Sequence, residues 1–153
     1  MRVCVTACEV RYAALVGIAR DGDAKVHGRK PRWPVGTLVA HIVGALGELV
    51  VSKALGIYWR PVIDRRDTAY GDVAGYEVKA TQYPDGYLRL RADAKPDRPY
   101  VLVTGEPPAL EIRGWIYARD GMRAEWWDER DGEYHVPQSA LADWETRPFE
   151  VPR

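Results

Sequence analysis

The sequence predicts an α+β domain, and three observations carry that reading. A helix start signal stands near the N-terminus. A second helix-length stretch repeats apolar residues at steps of three and four. After it come short stretches of alternating or wholly apolar character, divided by turn residues. The chain has 153 residues, which fits a single domain over 1–153. It divides into an N-terminal helix and basic loop (1–36), a core (37–104), and C-terminal strands with a short helix (105–153).

Thr6-Ala7-Cys8-Glu9 is a capping box, in which the Thr hydroxyl and the Glu carboxylate satisfy opposite orphan amides. A helix is expected from there to Arg20, with Val10, Ala14, Leu15, Val16 and Ile18 as its apolar surface and Asp21-Gly22-Asp23 as its end. Cys4 and Cys8 would share a face of a helix. No other Cys or His cluster completes a zinc site with them, so they read as buried or incidental thiols. The stretch from 24 to 34 is polar and basic. It contains Lys30 and Arg32, which read as a solvated connection ahead of a contact to a DNA backbone, and Trp33, which reads as a core anchor ahead of a base stack.

Thr37 can cap the second helix, and Gly56 is placed to end it. Leu38, Ile42, Leu46, Leu49 and Val50 form its core stripe. His41, Gly44, Glu48 and Ser52 share another face. Strands are expected over 58–63, 69–73, 76–83 and 87–91. Arg89 and Arg91 alternate with Leu88 and Leu90, giving either one basic face for a phosphate backbone or a plain solvent face. Tyr100 to Thr104 reads as a buried strand. Leu110 to Arg119 and Glu133 to Val136 are further strands, with a hairpin at Asp120-Gly121 and a short helix from Pro137 to Trp144.

The formal net charge is zero, which argues against a protein that coats nucleic acid by bulk electrostatics. It leaves room for a local basic groove beside an acidic site. Arginines outnumber lysines 17 to 5; a phosphate-binding role and a GC-rich genome both produce that bias. No apolar run is long enough to cross a bilayer, and the N-terminus lacks a secretory signal, so a cytoplasmic protein is expected. A P-loop and a G-x-S-x-G motif are both missing from the sequence, and with them the usual signs of nucleotide and serine-hydrolase chemistry.

The chemistry concentrates in Gly71 to Lys79, G-D-V-A-G-Y-E-V-K. Glu77, Lys79 and Thr81 alternate with Val78 and Ala80. Glu77 and Lys79 therefore project to one side of a strand, roughly 7 Å apart. Ala74-Gly75 can form a tight turn, which would set Val73 opposite Tyr76 and Asp72 opposite Glu77. Two carboxylates facing across a ladder repel. A cation between them resolves that, and hard oxygens suit Mg²⁺ or Mn²⁺. A lysine beside the metal would meet an attacking water or a scissile phosphate, a kit suited to phosphodiester hydrolysis.

Asp72 followed by Glu77-Val78-Lys79 resembles the signature of the PD-(D/E)XK, or restriction-endonuclease-like, nuclease superfamily. The resemblance covers about Leu38 to Thr104. It implies an α+β fold with a restriction-endonuclease-like core, N-terminal helices packed on a mixed central β-sheet. It implies metal ligation by Asp72 and Glu77, with the carbonyl of Val78 adding a ligand, and orientation of water by Lys79. The family commonly adds a Glu from an upstream helix, a place that Glu48 fills. Asp64 and Asp67 are the other acids able to take the place of Asp72. His41 reads first as a hydrogen-bonded structural histidine, with a place behind the ligands or a phosphate contact as its functional alternative, and Thr81 continues the face of Glu77 and Lys79 as a residue behind the ligands. The family core usually has a helix after the motif strands, and none is legible between Lys79 and Tyr100; 93–99 is the place for a reduced version.

The expected protein is a small stand-alone member, of the kind found in phages, cutting DNA with Mg²⁺ or Mn²⁺ as a monomer or homodimer. Arg89, Arg91, Arg32 and Lys30 would contact the nucleic acid. The alternative is a non-catalytic module, or a degenerate nuclease fold, that binds nucleic acid or protein.

Overall fold

The computed structural model describes residues 1–28, 37–63 and 71–149. Lys30, Arg32, Trp33, Asp64 and Asp67 lie outside the described residues, and so do the first two residues of the strand expected over 69–73; the other three form a turn and an isolated bridge at Val73.

The expected capping box is present. Thr6 Oγ1 accepts from the Glu9 amide, and the Glu9 carboxylate accepts from the Thr6 amide. It opens α1, Ala7–Val26, which runs past Arg20. Asp21 and Asp23 do not stop it, because each is paired one turn on, with Lys25 and His27. The buried residues of α1 are Ala13, Val16, Gly17, Arg20 and Asp21, at helical spacing. Leu15 and Ile18, expected on the apolar surface, are exposed. A Cβ on Gly17 would lie 2.7 Å from the Ile42 backbone, so the glycine lets α1 meet α2, Thr37–Ala54, at close range.

Helix α2 ends as expected at Gly56, in the left-handed region at φ 68°. The Gly56 amide donates to Lys53 O and the Ile57 amide to Ser52 O, which closes a Schellman cap. Leu46, Leu49 and Val50 are buried, Ile42 is half-buried, and Leu38 is exposed. The strand expected at 58–63 does not form; those residues are irregular chain with a bend at Ile63, paired with no strand among the described residues.

Two sheets follow. The larger has the order β1 (Arg2–Cys4), β5 (Ala109–Tyr117), β4 (Pro99–Glu106), β2 (Glu77–Thr81). It is mixed: β2 runs parallel to β4, and the other pairs are antiparallel. The smaller holds β3 (Leu88–Arg91), β7 (Glu133–Val136) and β6 (Trp127–Asp128). Tyr117 leads into a one-turn helix α3, Ala118–Gly121, where a hairpin was expected. Short 3₁₀ turns at Gln138–Ala140 and Trp144–Thr146 replace the expected C-terminal helix. Cys4 lies on β1 and Cys8 on α1. Both are exposed free thiols and do not share one helix.

The layers follow from the alternation on β4. Val101 and Val103 join the core under α1 and α2, while Tyr100 and Leu102 join a second core with Leu88, Leu90, Ile116 and Val136. Helices therefore cover one face of the large sheet, and the small sheet covers the other. A parallel pair needs a crossover. Here β3, in the opposite layer, provides it, and no helix lies between β2 and β4 among the described residues. No helix among those residues is long and apolar enough to cross a membrane.

Candidate metal and phosphate site on β2

The turn at Ala74-Gly75 forms, with positive φ at both residues (48° and 90°). That is the backbone of a two-residue hairpin. Val73 and Tyr76 exchange both amide bonds, at 3.1 and 2.8 Å, as expected. The pairing stops there. Asp72 does not face Glu77 across a ladder. Its amide donates to Tyr76 O at 2.8 Å, and its carboxylate accepts from the Val78 amide at 2.9 Å. The side chain of Asp72 takes the position a neighbouring strand would occupy, and so closes the edge of β2 left open by β4.

That substitution orients Val78. The N–H and C=O of one strand residue point to the same side. The Val78 carbonyl therefore lies on the open edge with Asp72. Glu77 and Lys79 leave the sheet on the face away from the helices, where both line a cavity of about 340 Å³. Arg91, Asp93, Ala94, Lys95, Arg98 and Tyr100 complete the wall. Parallel pairing with β4 sets Glu77 beside Tyr100 in register.

Electrostatics tie these groups together. Arg98 Nη1 lies 3.2 Å from Glu77 Oε1. Lys79 Nζ lies 5.7 Å from the centre of the Tyr100 ring, within cation–π range. Burial first, then the Glu77 carboxylate, pushes the Tyr100 phenol up to about 12; Arg98 opposes this, and Asp72 and Asp93 add to it. Asp72 and Glu77 thus act on one hydroxyl. Arg98 also lines a second cavity of about 780 Å³ with Asp72, Arg60 and Phe149, so it stands between the two spaces.

Glu48 lies on the other side of β2. Its neighbour Gly47 presses on that strand, where an added Cβ would sit 2.6 Å from Ala80 Cβ. Glu48 is 2% exposed, and its two oxygens accept from Arg20 Nη1 and Nη2 at 2.7 and 2.8 Å. Trp59 Nε1 adds a contact at 3.4 Å, and Arg20 Nε donates to Val62 O. The described residues contain one group of three whose ligand atoms all lie within 4.8 Å of one another, namely Asp128, Asp131 and His135, not Glu48 with Asp72 and Glu77. His41 lies half-buried on α2. Thr81 is half-buried at the end of β2, where its hydroxyl accepts from the Tyr83 amide.

The two expected arginines of β3 differ. Arg91 lines the cavity and is paired with Asp93 at 3.0 Å. Arg89 is paired with Asp131 at 2.7 Å and Glu133 at 2.9 Å. Sequence reading missed Lys95, Arg98 and Tyr100. The first two sat in a polar loop and the third in a buried strand. The parallel register of β2 with β4 sets Tyr100 beside Glu77, and the chain leading into β4 brings Arg98 to Glu77 and Lys95 to the same cavity.

Comparison with family models, with curated proteins and with solved structures gave no match. The residues of this site therefore carry the functional argument alone.

As a metal site the donor set divides. Asp72 and the Val78 carbonyl at the strand edge, and Glu77 on the adjoining face, offer hard oxygens of the kind that Mg²⁺ or Mn²⁺ takes. Glu48, held in the helix layer by Arg20, does not fit as a fourth donor in this arrangement.

Proposed function

We propose that the protein is a metal-dependent nuclease that hydrolyses phosphodiester bonds, with DNA as its substrate, built on a restriction-endonuclease-like core. The observation that carries this reading is the meeting of Asp72, Glu77 and Lys79 around Val78. One acid sits on that residue's amide, the other acid and the lysine flank it on one face, and Arg98 lies beside them. Asp72, Glu77 and the Val78 carbonyl would hold a divalent cation, which activates water and offsets charge on the phosphate. Lys79 orients water and stabilises the developing negative charge on the phosphoryl oxygens. Its ammonium has no ion-pair partner among the described residues and rests on the Tyr100 ring, so it is available to a substrate anion. Arg98 balances Glu77 while no cation is bound.

A second reading has one observation in its favour. Glu48 is neutralised by a buried arginine, as a fold retained for binding alone would allow.

Labelled linear, circular and branched DNA incubated with Mg²⁺ or Mn²⁺, beside EDTA controls, separates the two. The expected result is metal-dependent cutting that falls by about 100-fold or more in Lys79→Ala, the scale of a lost positioning or proton-transfer group. Full activity in Lys79→Ala would refute the assignment. Absence of cutting on every substrate would favour the binding module.

A further inference from the structure

Six charged side chains line the cavity of about 340 Å³ at β2. Two pairs are internally balanced: Arg98 with Glu77 at 3.2 Å, and Arg91 with Asp93 at 3.0 Å. Lys79 and Lys95 remain, and neither has an ion-pair partner among the described residues. The cavity thus carries a surplus of two positive charges, both on lysines. A phosphodiester within a strand brings one negative charge. A phosphate monoester at a strand end brings about 1.5 to 2 at neutral pH, with three strong acceptor oxygens.

We propose that this cavity receives the terminal phosphate monoester of a nucleic-acid strand, with Lys95 as the residue that recognises the end and Lys79 shared with the cutting step. The proposal rests on the nuclease reading and narrows it to substrates engaged at phosphorylated ends. Lys95 is suited to the test. Its side chain is exposed and holds no partner among the described residues, while its backbone carbonyl accepts the Arg98 amide and would survive substitution. Lys95→Gln should therefore fold as the parent does.

Binding is measured in EDTA, so that no cleavage is needed. Fluorescence anisotropy reports on short DNA duplexes that carry a phosphate or a hydroxyl at the 5′ end, and on a second set varied at the 3′ end. The expected result is a Kd about tenfold lower for one phosphorylated end, the order given by a charge-assisted hydrogen bond. Lys95→Gln should shrink that preference to within about twofold and leave hydroxyl-ended DNA bound as before. Equal Kd values for all ends, or a preference that survives in Lys95→Gln, overturn the proposal. A parallel incubation with Mg²⁺ on linear and circular DNA keeps the two readings apart. End preference without any cutting would remove the nuclease and leave the phosphate pocket. Cutting with no end preference would remove the pocket and leave the nuclease.

Discussion

Two groups of carboxylates, one at β6–β7 and one at β2, differ in what surrounds them. Asp128, Asp131 and His135 come close enough for their ligand atoms to share a metal ion. They owe that closeness to a single turn between adjacent strands. Their charge is already answered. Arg130 lies 2.9 Å from Asp128 and holds its carboxyl well below the usual range. Arg89 lies 2.7 Å from Asp131, and His135 Nε2 lies 3.1 Å from the same acid. At β2 the acids belong to no such group of three among the described residues, yet two lysines without an ion-pair partner among those residues and a cavity lie beside them. Closeness of ligand atoms is cheap at a hairpin; what distinguishes the β2 site is a strand edge, a space, and charge left over for something that is not protein.

The largest effect that can break this comparison is on metal binding. Calorimetry with Mn²⁺ should show binding to the parent protein that is lost in Asp72→Asn and in Glu77→Gln. Asp131→Asn should bind as the parent does. The reverse pattern would move the metal to the β6–β7 turn and leave β2 as a salt-bridged edge.

Much of this could be read in the sequence, and the rest could not, for physical reasons. The capping box, the helix over 37–54 and the hairpin at Ala74-Gly75 are local, and each appears where its residues demand. The face shared by Glu77 and Lys79 follows from period two, and it holds. The partner of Glu48 did not show, because Arg20 lies 28 residues away on another helix and a buried charged pair leaves no periodic trace. The same applies to Arg98 and Tyr100, which reach Glu77 only through a parallel crossover. Asp72 shows a third case. The turn was legible, but the exchange of a ladder hydrogen bond for a side-chain one was not. Propensity and period fix a segment's faces, whereas pairing across layers depends on the whole chain.

A smaller effect concerns whether Glu48 belongs to the scaffold or to the site. Removing one partner of a buried ion pair strands the other charge, at a cost of about 3–5 kcal/mol. Arg20→Ala should lose about that much in urea unfolding. Lys53→Ala, which breaks a half-exposed pair with Glu9, should lose under about 1 kcal/mol. Addition of Mn²⁺ sharpens the contrast. If Glu48 belongs to the scaffold, Mn²⁺ stabilises Arg20→Ala no more than it stabilises the parent. Selective rescue of Arg20→Ala by Mn²⁺ would instead bring Glu48 into the metal site.

The smallest effect is on a proton. Tyr100 has a folded pKa of about 12 against an ordinary value of 10, raised by burial and then by Glu77. The neutral phenol is the form that the folded state favours. Its contribution to stability is therefore complete below about pH 10 and is lost as pH rises towards 12. Tyrosinate absorbance should show a step near 12 in the parent that Tyr100→Phe lacks. Glu77→Gln should move that step downward, because it removes the negative charge that acts most strongly on the phenol while leaving the burial. Such a shift would place the Glu77 carboxylate and the Tyr100 hydroxyl in one electrostatic space, as the cavity at β2 requires. A step unmoved by Glu77→Gln would separate the acid from the cavity, and the contrast with the β6–β7 turn would lose its basis.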